Sequence, residues 1–259
     1  MRKLLYGYAL AIRYIIRNNQ WHKIFPRIIL ATCIQTVQRL TGSIISIRLF
    51  NRKKLFLFPR NEISSQFLYT DIPDKEEIQF LRNHTDKHTV FIDIGAHIGS
   101  YSVCLADKAM YSIAFEPHPV VVKWCRMNFL LNGMDEHYVH QIALSNKNGT
   151  VRFTTDRNQA QNHITVSKTK SIEVISMSLD AFVQNQNLSR KLSYVIKIDV
   201  EGEEMNVLKG ARQFLQSYPI KGIVYESFGY DVDTIKGFLR KNGFTVQSLS
   251  GYNYSAVRN

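Results

Sequence analysis

Two periods of apolar residues run through this chain. Short apolar runs of strand length end or centre on Val90 to Asp93, Tyr111 to Phe115, Tyr138 to Leu144, Tyr194 to Ile198 and Ile220 to Tyr225. Between and around them, Lys75 to Asn83, Val120 to Asn132, Met205 to Gln216 and Asp233 to Asn242 carry helical spacing. Strands that alternate with helices predict a mostly parallel, twisted sheet covered on both faces, a Rossmann-like α/β fold. Gly149 to Thr154 and Ser171 to Ser176 predict short strands of an insertion, followed by a helix that begins at Leu179 to Val183. Phe244 to Leu249 and Tyr254 to Val257, around Gly251 and Asn253, predict a terminal antiparallel pair, so the last strand is reversed. Upstream, Ser43 to Phe58 alternates around a polar turn at Asn51 to Lys54 and predicts a hairpin, and Glu62 to Asp74 reads as a polar connection. The expected division is an N-terminal extension over residues 1–61 and an α/β domain over residues 62–259.

The stretch VFIDIGAHIGSYS, Val90 to Ser102, sharpens this picture. Its apolar run ends in Asp93, and Gly95 and Gly99 then punctuate the start of a helix. Glycines suit a sharp reversal where backbone must approach a ligand, and the helix start offers free N–H groups. A nicotinamide fingerprint reads G-x-G-x-x-G; here Asp93 holds the first position and Gly99 falls one residue late. A carboxylate there repels a pyrophosphate but suits a ligand with an ammonium and a sulfonium group, as S-adenosylmethionine has. The second strand ends in Glu116, 21 residues beyond Gly95, where an acid accepts ribose hydroxyls. Pro117 and Pro119 then close the strand.

At these residues the chain resembles the FkbM-type S-adenosylmethionine-dependent methyltransferases. The resemblance rests on IDIGAHIGSYS (Ile92 to Ser102), AFEPHP (Ala114 to Pro119), IALSNKNGT (Ile142 to Thr150), SLDAF (Ser178 to Phe182), VIKIDVEGEEMNVLKGA (Val195 to Ala211) and IVYES (Ile223 to Ser227). These segments follow family order over roughly Val90 to Phe228; His97 stands where the family motif D-x-G-A-N-x-G has Asn. The resemblance implies a class I methyltransferase fold. It implies S-adenosyl-L-methionine held by Asp93, Gly95, Ala96, His97, Gly99, Glu116, Pro117, Ala143, Leu144, Ser145 and Asp199. It implies as acceptor a hydroxyl of a sugar, glycan, glycolipid or other natural-product alcohol.

Open α/β sheets bind ligands at the carboxyl ends of their strands. Asp199 and Glu201, in KIDVEGEE, follow the fourth strand, where Asp199 is the candidate general base and Glu201 orients the acceptor. Lys197 alternates onto the same side as Asp199 and is expected to pair with an acid or steady the acceptor. His97 and His118 are further candidate bases, each with a packing role as its alternative. Asp199, Glu201 and Glu226 form the candidate set of hard oxygen ligands should a divalent cation bind. Glu203 and Glu204 read as favourable charge on a helix's first turn.

Charge separates the two halves. The chain's net charge is +12, yet residues 1–61 hold twelve Lys or Arg and no acid, and removing those twelve from 33 basic residues leaves 21, equal to the 21 acids. In residues 1–40 these cations mix with Leu4, Tyr8, Ile12, Ile16, Trp21, Phe25 and Ile29, which suits an amphipathic helix on an anionic membrane surface, or a helical cap on the domain. No run of 18 apolar residues and no signal peptide is evident, and three cysteines without metal-ligand spacing read as free thiols, so the expected location is cytoplasmic, peripheral to a membrane's inner face. The rival readings are a nucleic-acid 2′-O-methyltransferase that uses the basic arm, a catalytically inactive adaptor on the same fold, and last a nicotinamide reductase. No N/D-P-P-Y/F tetrapeptide follows the fourth strand, which disfavours amino methylation of nucleobases.

Overall fold

The computed structural model describes residues 11–155, 162–165, 167, 170–227 and 231–258. The expectations placed on residues 1–10 and on Phe228 lie outside them. The chain divides into two compact units, Met1–Pro73 and Asp74–Asn259.

In the first unit residues 11–18 are helical (α1), and α2 spans Trp21–Thr41. Gly42 ends α2 in the left-handed conformation at φ 69° and returns its N–H to the Gln38 carbonyl, a standard helix stop. The expected hairpin is present as β1 (Ile45–Arg48) against β2 (Lys54–Leu57), antiparallel, with Leu55 and Leu57 buried. The polar connection expected after it is instead largely a helix, α3 (Glu62–Tyr69). Asn61 caps it by accepting from the Ser64 N–H at 2.8 Å, and Phe67 and Leu68 supply a buried side. α3 is tied to α2 by Gln35 Nε2, which donates to the Tyr69 hydroxyl at 2.8 Å, while Gln38 Nε2 donates to the Leu57 carbonyl. The cap and these ties place residues 62–73 with the first unit, so the division falls beyond the expected boundary at Asn61.

The second unit opens with α4 (Lys75–Asn83) and then alternates as the sequence pattern predicts. β3 (Thr89–Ile94), α5 (Ser100–Leu105), β4 (Tyr111–Phe115), α6 (Val121–Leu131) and β5 (Val139–His140) build one half of the sheet. An insertion follows: β6 (Ala143–Leu144), β7 (Gly149–Thr154), β8 (Ile164–Thr165) and β9 (Ser171–Met177) form a separate four-stranded sheet. α7 (Leu179–Asn185), β10 (Ser193–Ile198), α8 (Glu204–Gly210), α9 (Arg212–Ser217), β11 (Ile220–Glu226), α10 (Asp231–Lys241), β12 (Phe244–Ser248) and β13 (Asn253–Arg258) complete it. The single helix expected over Met205 to Gln216 is two, with Ala211 between them.

The main sheet has the order β12-β13-β11-β10-β3-β4-β5. β13 runs antiparallel to both β11 and β12, while β10, β11, β3, β4 and β5 are parallel. This is the reversed last strand expected from the tail. Burial explains the near-continuous apolar strands: all six residues of β3 are buried, as Val90, Ile92, Ile94, Tyr194, Ile196 and Ile198 share one core with Phe214 and Tyr225. The chain leaves β3 toward β4 on one side and returns to β10 on the other, so the topological switch point lies between the carboxyl ends of β3 and β10.

Gly95 makes that junction close. Its φ is 75°, and a Cβ on it would strike the carbonyl oxygen of Asp199. Gly95→Ala is therefore expected to lower unfolding free energy in urea by about 3 kcal/mol or more, combining a left-handed penalty with a backbone collision. Gly237→Ala, in α10 with open space around it, is expected to be neutral or stabilising by up to about 1 kcal/mol.

Candidate active site

β3 and β10 are in parallel register with Lys197 beside Asp93, so both side chains leave the sheet on one face. Lys197 Nζ donates to the Gly95 carbonyl at 3.1 Å, pairs with Asp199 Oδ2 at 3.0 Å and sits 4.9 Å from the centre of the Tyr101 ring. Burial works against this ammonium, but Asp199 and Asp93 outweigh it and its pKa is raised. Lys197 is thus a buried, permanent cation at the switch point.

Asp93 is fully buried. Its Oδ2 accepts from the Ser102 hydroxyl at 2.7 Å and the Ser102 N–H at 3.2 Å, which ties the strand to α5, and its Oδ1 has no hydrogen-bond partner. Burial raises its pKa, opposed by Lys197. The Gly95 and Ala96 N–H groups both donate to the Phe115 carbonyl, at 3.0 and 2.9 Å, and so fasten the glycine turn onto the end of β4. Gly99, at φ 76°, packs where a Cβ would press on Cys125 Sγ.

Glu116 closes the same turn from the β4 side. Its Oε2 accepts from the His97 N–H at 3.0 Å and its Oε1 from the His118 N–H at 2.8 Å. Burial lifts its pKa to about 7 against the pull of those two bonds. A carboxylate has about four acceptor positions, so each oxygen keeps one for a further donor. Pro117 is buried directly behind it. His97 lies at φ 51°, and burial with the nearby Lys197 cation lowers its pKa to about 3. Both causes favour the neutral ring, and the His97 N–H is held by Glu116 within the turn. His118 takes the packing role: its Nδ1 accepts from the Val120 N–H at 3.2 Å at the start of α6.

The third strand departs from expectation. β5 stops at His140, and Ala143 and Leu144 leave the main sheet to pair with β9. Ser145 follows them: its N–H donates to the Met177 carbonyl, its hydroxyl to Glu203 Oε2 at 3.4 Å, and its carbonyl packs where Gly210 has no side chain. Ala143 and Leu144 are thus held by the insertion sheet and Ser145 by β9 and α8, while Leu144 also packs in the core that holds Ile94 and Phe115.

Acids gather on the other side of Lys197. One carboxylate oxygen from each of Asp199, Glu201 and Glu226 lies within 4.8 Å of the others. Burial opposes the Asp199 charge, but Lys197 prevails, aided by a hydrogen bond from Glu226, and its pKa is lowered. Glu226 is pushed up to about 8 by burial and by Asp199, with which it shares a hydrogen bond. Glu201, in a left-handed turn at φ 53°, is raised to about 7 by burial, Asp199 and Glu204. Glu204 accepts from the Val200 and Gly202 N–H groups and Glu203 from Asn206 Nδ2, so both are structural acids at the start of α8.

Three residues of this network escaped the sequence reading. Tyr101, under the Lys197 ammonium, donates to Asp74 Oδ2 at 3.1 Å, and Asp74 is raised to about 6 by burial and the nearby Glu77. Tyr101 lies within the GSYS run, but nothing in the sequence links it to Asp74 upstream. His163 of the insertion is a third, electrostatically coupled to Glu201.

The strand order, the turn after β3 and the acid at the end of β4 define a class I methyltransferase fold. Residues 93–246, more than half of the chain, match the family described as the Methyltransferase FkbM domain, and the chain belongs to that family. Hexuronic acid methyltransferase AglP of Haloferax volcanii is 28% identical over 148 residues, 56% of this chain and 59% of that protein; the chain thus matches less than two thirds of that relative's length. Solved structures with some likeness include precorrin-6y C5,15-methyltransferase from Geobacter metallireducens GS-15 (TM-score 0.43, 14% identity, 73% of this chain and 90% of that one). Another is the SAM-dependent methyltransferase from Agrobacterium tumefaciens (TM-score 0.44, 10% identity, 83% and 69%).

Glu116, Glu201 and Glu226 hold protons more tightly folded than at their ordinary value of 4.5. The stability they lend is complete below that value and is lost as pH rises to their folded values near 7 and 8. The thermal midpoint of the ligand-free protein should therefore fall from about pH 6 to about pH 8.5, and Glu226→Gln should flatten that fall. An unchanged slope in the variant would show that Glu226 does not titrate there.

Proposed function

We propose that this chain transfers the methyl group of S-adenosylmethionine to a hydroxyl of a sugar or glycan acceptor, including one carried on a lipid. The observation that carries the reading is the cluster of Lys197, Asp199, Glu201 and Glu226 at the carboxyl ends of β10 and β11, beside the Gly95 turn.

The residues present fit the donor. The unpartnered Oδ1 of buried Asp93 faces the need of an ammonium group, and the spare acceptor positions of Glu116 suit a ribose diol. Bound there, the donor supplies a methyl carbon already activated by sulfonium. The chain's own residues do the rest. Lys197 keeps Asp199 ionised, and Asp199 takes the acceptor hydroxyl proton as the oxygen attacks. The new O–CH3 bond forms while the S–CH3 bond breaks with its electron pair left on sulfur. Glu201 aligns the acceptor oxygen, and that in-line alignment is the larger share of the acceleration. The name of the Haloferax volcanii relative supports a sugar acceptor. The three clustered carboxylates would also suit a divalent cation; in our reading Lys197 and the proton on Glu226 meet their charge.

Incubation with isotopically labelled methyl donor and separated lipid, glycan and RNA fractions is expected to label sugar. Label in RNA would overturn the acceptor class, and loss of activity with a chelator would replace the proton on Glu226 by a metal. Asp199→Asn is expected to lower kcat by roughly 10²–10⁴-fold with donor affinity within a few-fold of wild type by calorimetry. Full activity in this variant would remove Asp199 from the chemistry.

A further inference from the structure

α2 carries apolar residues on two faces. Its inward face is mixed: Ile24, Ile28 and Ile34 are half-buried beside buried Ala31, and the polar residues there are tied down, Gln38 to the Leu57 carbonyl, Gln35 to Tyr69, and Arg27 to Asp71, which Lys23 also meets at 2.7 Å. A second apolar set faces out. Trp21 is 84% exposed, Phe25 71% and Leu40 81%, and Ile29, Leu30 and Val37 are exposed with them. At 3.6 residues per turn these side chains cover a continuous half of the helix, with only His22, Pro26, Thr32, Cys33 and Thr36 between them and no acid. Six large apolar side chains grouped on one exposed helix face mark a candidate interaction surface. It is also short of a spanning helix: among the described residues no helix is long and apolar enough to cross a membrane.

We propose that this outward face of α2 lies in the plane of an anionic lipid bilayer, with Trp21, Phe25, Ile29, Val37 and Leu40 seated among the lipids. Charge selects the occupant. Residues 1–61 bear twelve cations and no acid, so a second copy would bring two strongly basic surfaces together, whereas an anionic leaflet complements them. Trp and Phe next to Lys and Arg are also the side chains that settle at a lipid interface, with rings in the headgroup layer and cations reaching outward. On α2 itself Arg39 stands about five turns from Trp21 and so at the same edge of the arc. This inference uses no part of the methyl-transfer reading.

The test is sedimentation of the full chain with vesicles of phosphatidylcholine alone and with about 30% phosphatidylglycerol, where only the latter should bind, and less so as salt is raised. The exposed side chains make Phe25→Glu and Leu40→Glu mild for folding, and far-UV circular dichroism with a thermal melt on each variant reports an intact fold. Each should weaken vesicle binding by about tenfold, as a charge placed in the apolar face of an interfacial helix does. In a Trp124→Phe background, emission from Trp21 should shift to the blue with anionic vesicles. No binding, binding unaltered by Phe25→Glu, an unshifted Trp21, or a dimer in sedimentation velocity that Phe25→Glu dissolves would each overturn the proposal. Failure of methyl transfer would leave it standing.

Discussion

The site depends on one buried cation. The Lys197 ammonium touches the Gly95 carbonyl and Asp199 and lies over Tyr101, in register with Asp93 on the neighbouring strand. Removing its charge would leave Asp93 and Asp199 in low dielectric without a counter-ion, and unpaired buried charge is among the costliest defects a fold can carry. Lys197 is therefore structural and electrostatic at once. It joins the turn after β3 to the turn after β10, and it fixes which acids stay ionised.

That grip explains why glycine is required where it is. Asp199 donates its N–H to the Ile94 carbonyl and so continues the ladder beyond β10, which brings its own carbonyl against Gly95 Cα. With the crossing so tight, the Gly95 and Ala96 N–H groups can reach the Phe115 carbonyl, and the His97 N–H can reach Glu116. Three strand ends, of β3, β4 and β10, are thus tied by hydrogen bonds among the chain's own groups.

Legibility in the sequence followed the range of the interactions. The Asp93, Gly95, Gly99 and Glu116 placements were readable because each is set by a strand end and the turn after it, and the reversed tail was readable from one turn between two short apolar runs. Asp199 and Glu226 were readable as a pair because parallel strands bring their carboxyl ends together. What stayed hidden is set by contacts distant in the chain. α3 forms because Asn61 caps it and α2 receives it, although its sequence reads as a polar connection. Ala143 to Ser145 leave the main sheet because β9, far downstream, offers them a partner. The Tyr101–Asp74 bond has no local signature. The departure of His97 from the family's Asn is visible in the sequence, but its low basicity comes from burial and from Lys197.

Opposite electrostatic needs are met in different parts of one sequence. In our reading the pocket holds a sulfonium donor, and the pKa values of Glu116, Glu201 and Glu226 are raised there first by burial and then by neighbouring acids, with Lys197 opposing. Adding cations around that pocket would lower those pKa values and weaken its attraction for a positive ligand. The chain instead concentrates its excess positive charge in residues 1–61 and leaves the remainder neutral in sum. In our reading an anionic surface can then attract residues 1–61 without requiring added cations among the acids of the donor site. In the proposed reaction the methyl donor loses its sulfonium charge, so the carboxylates that draw the donor in have less hold on the product.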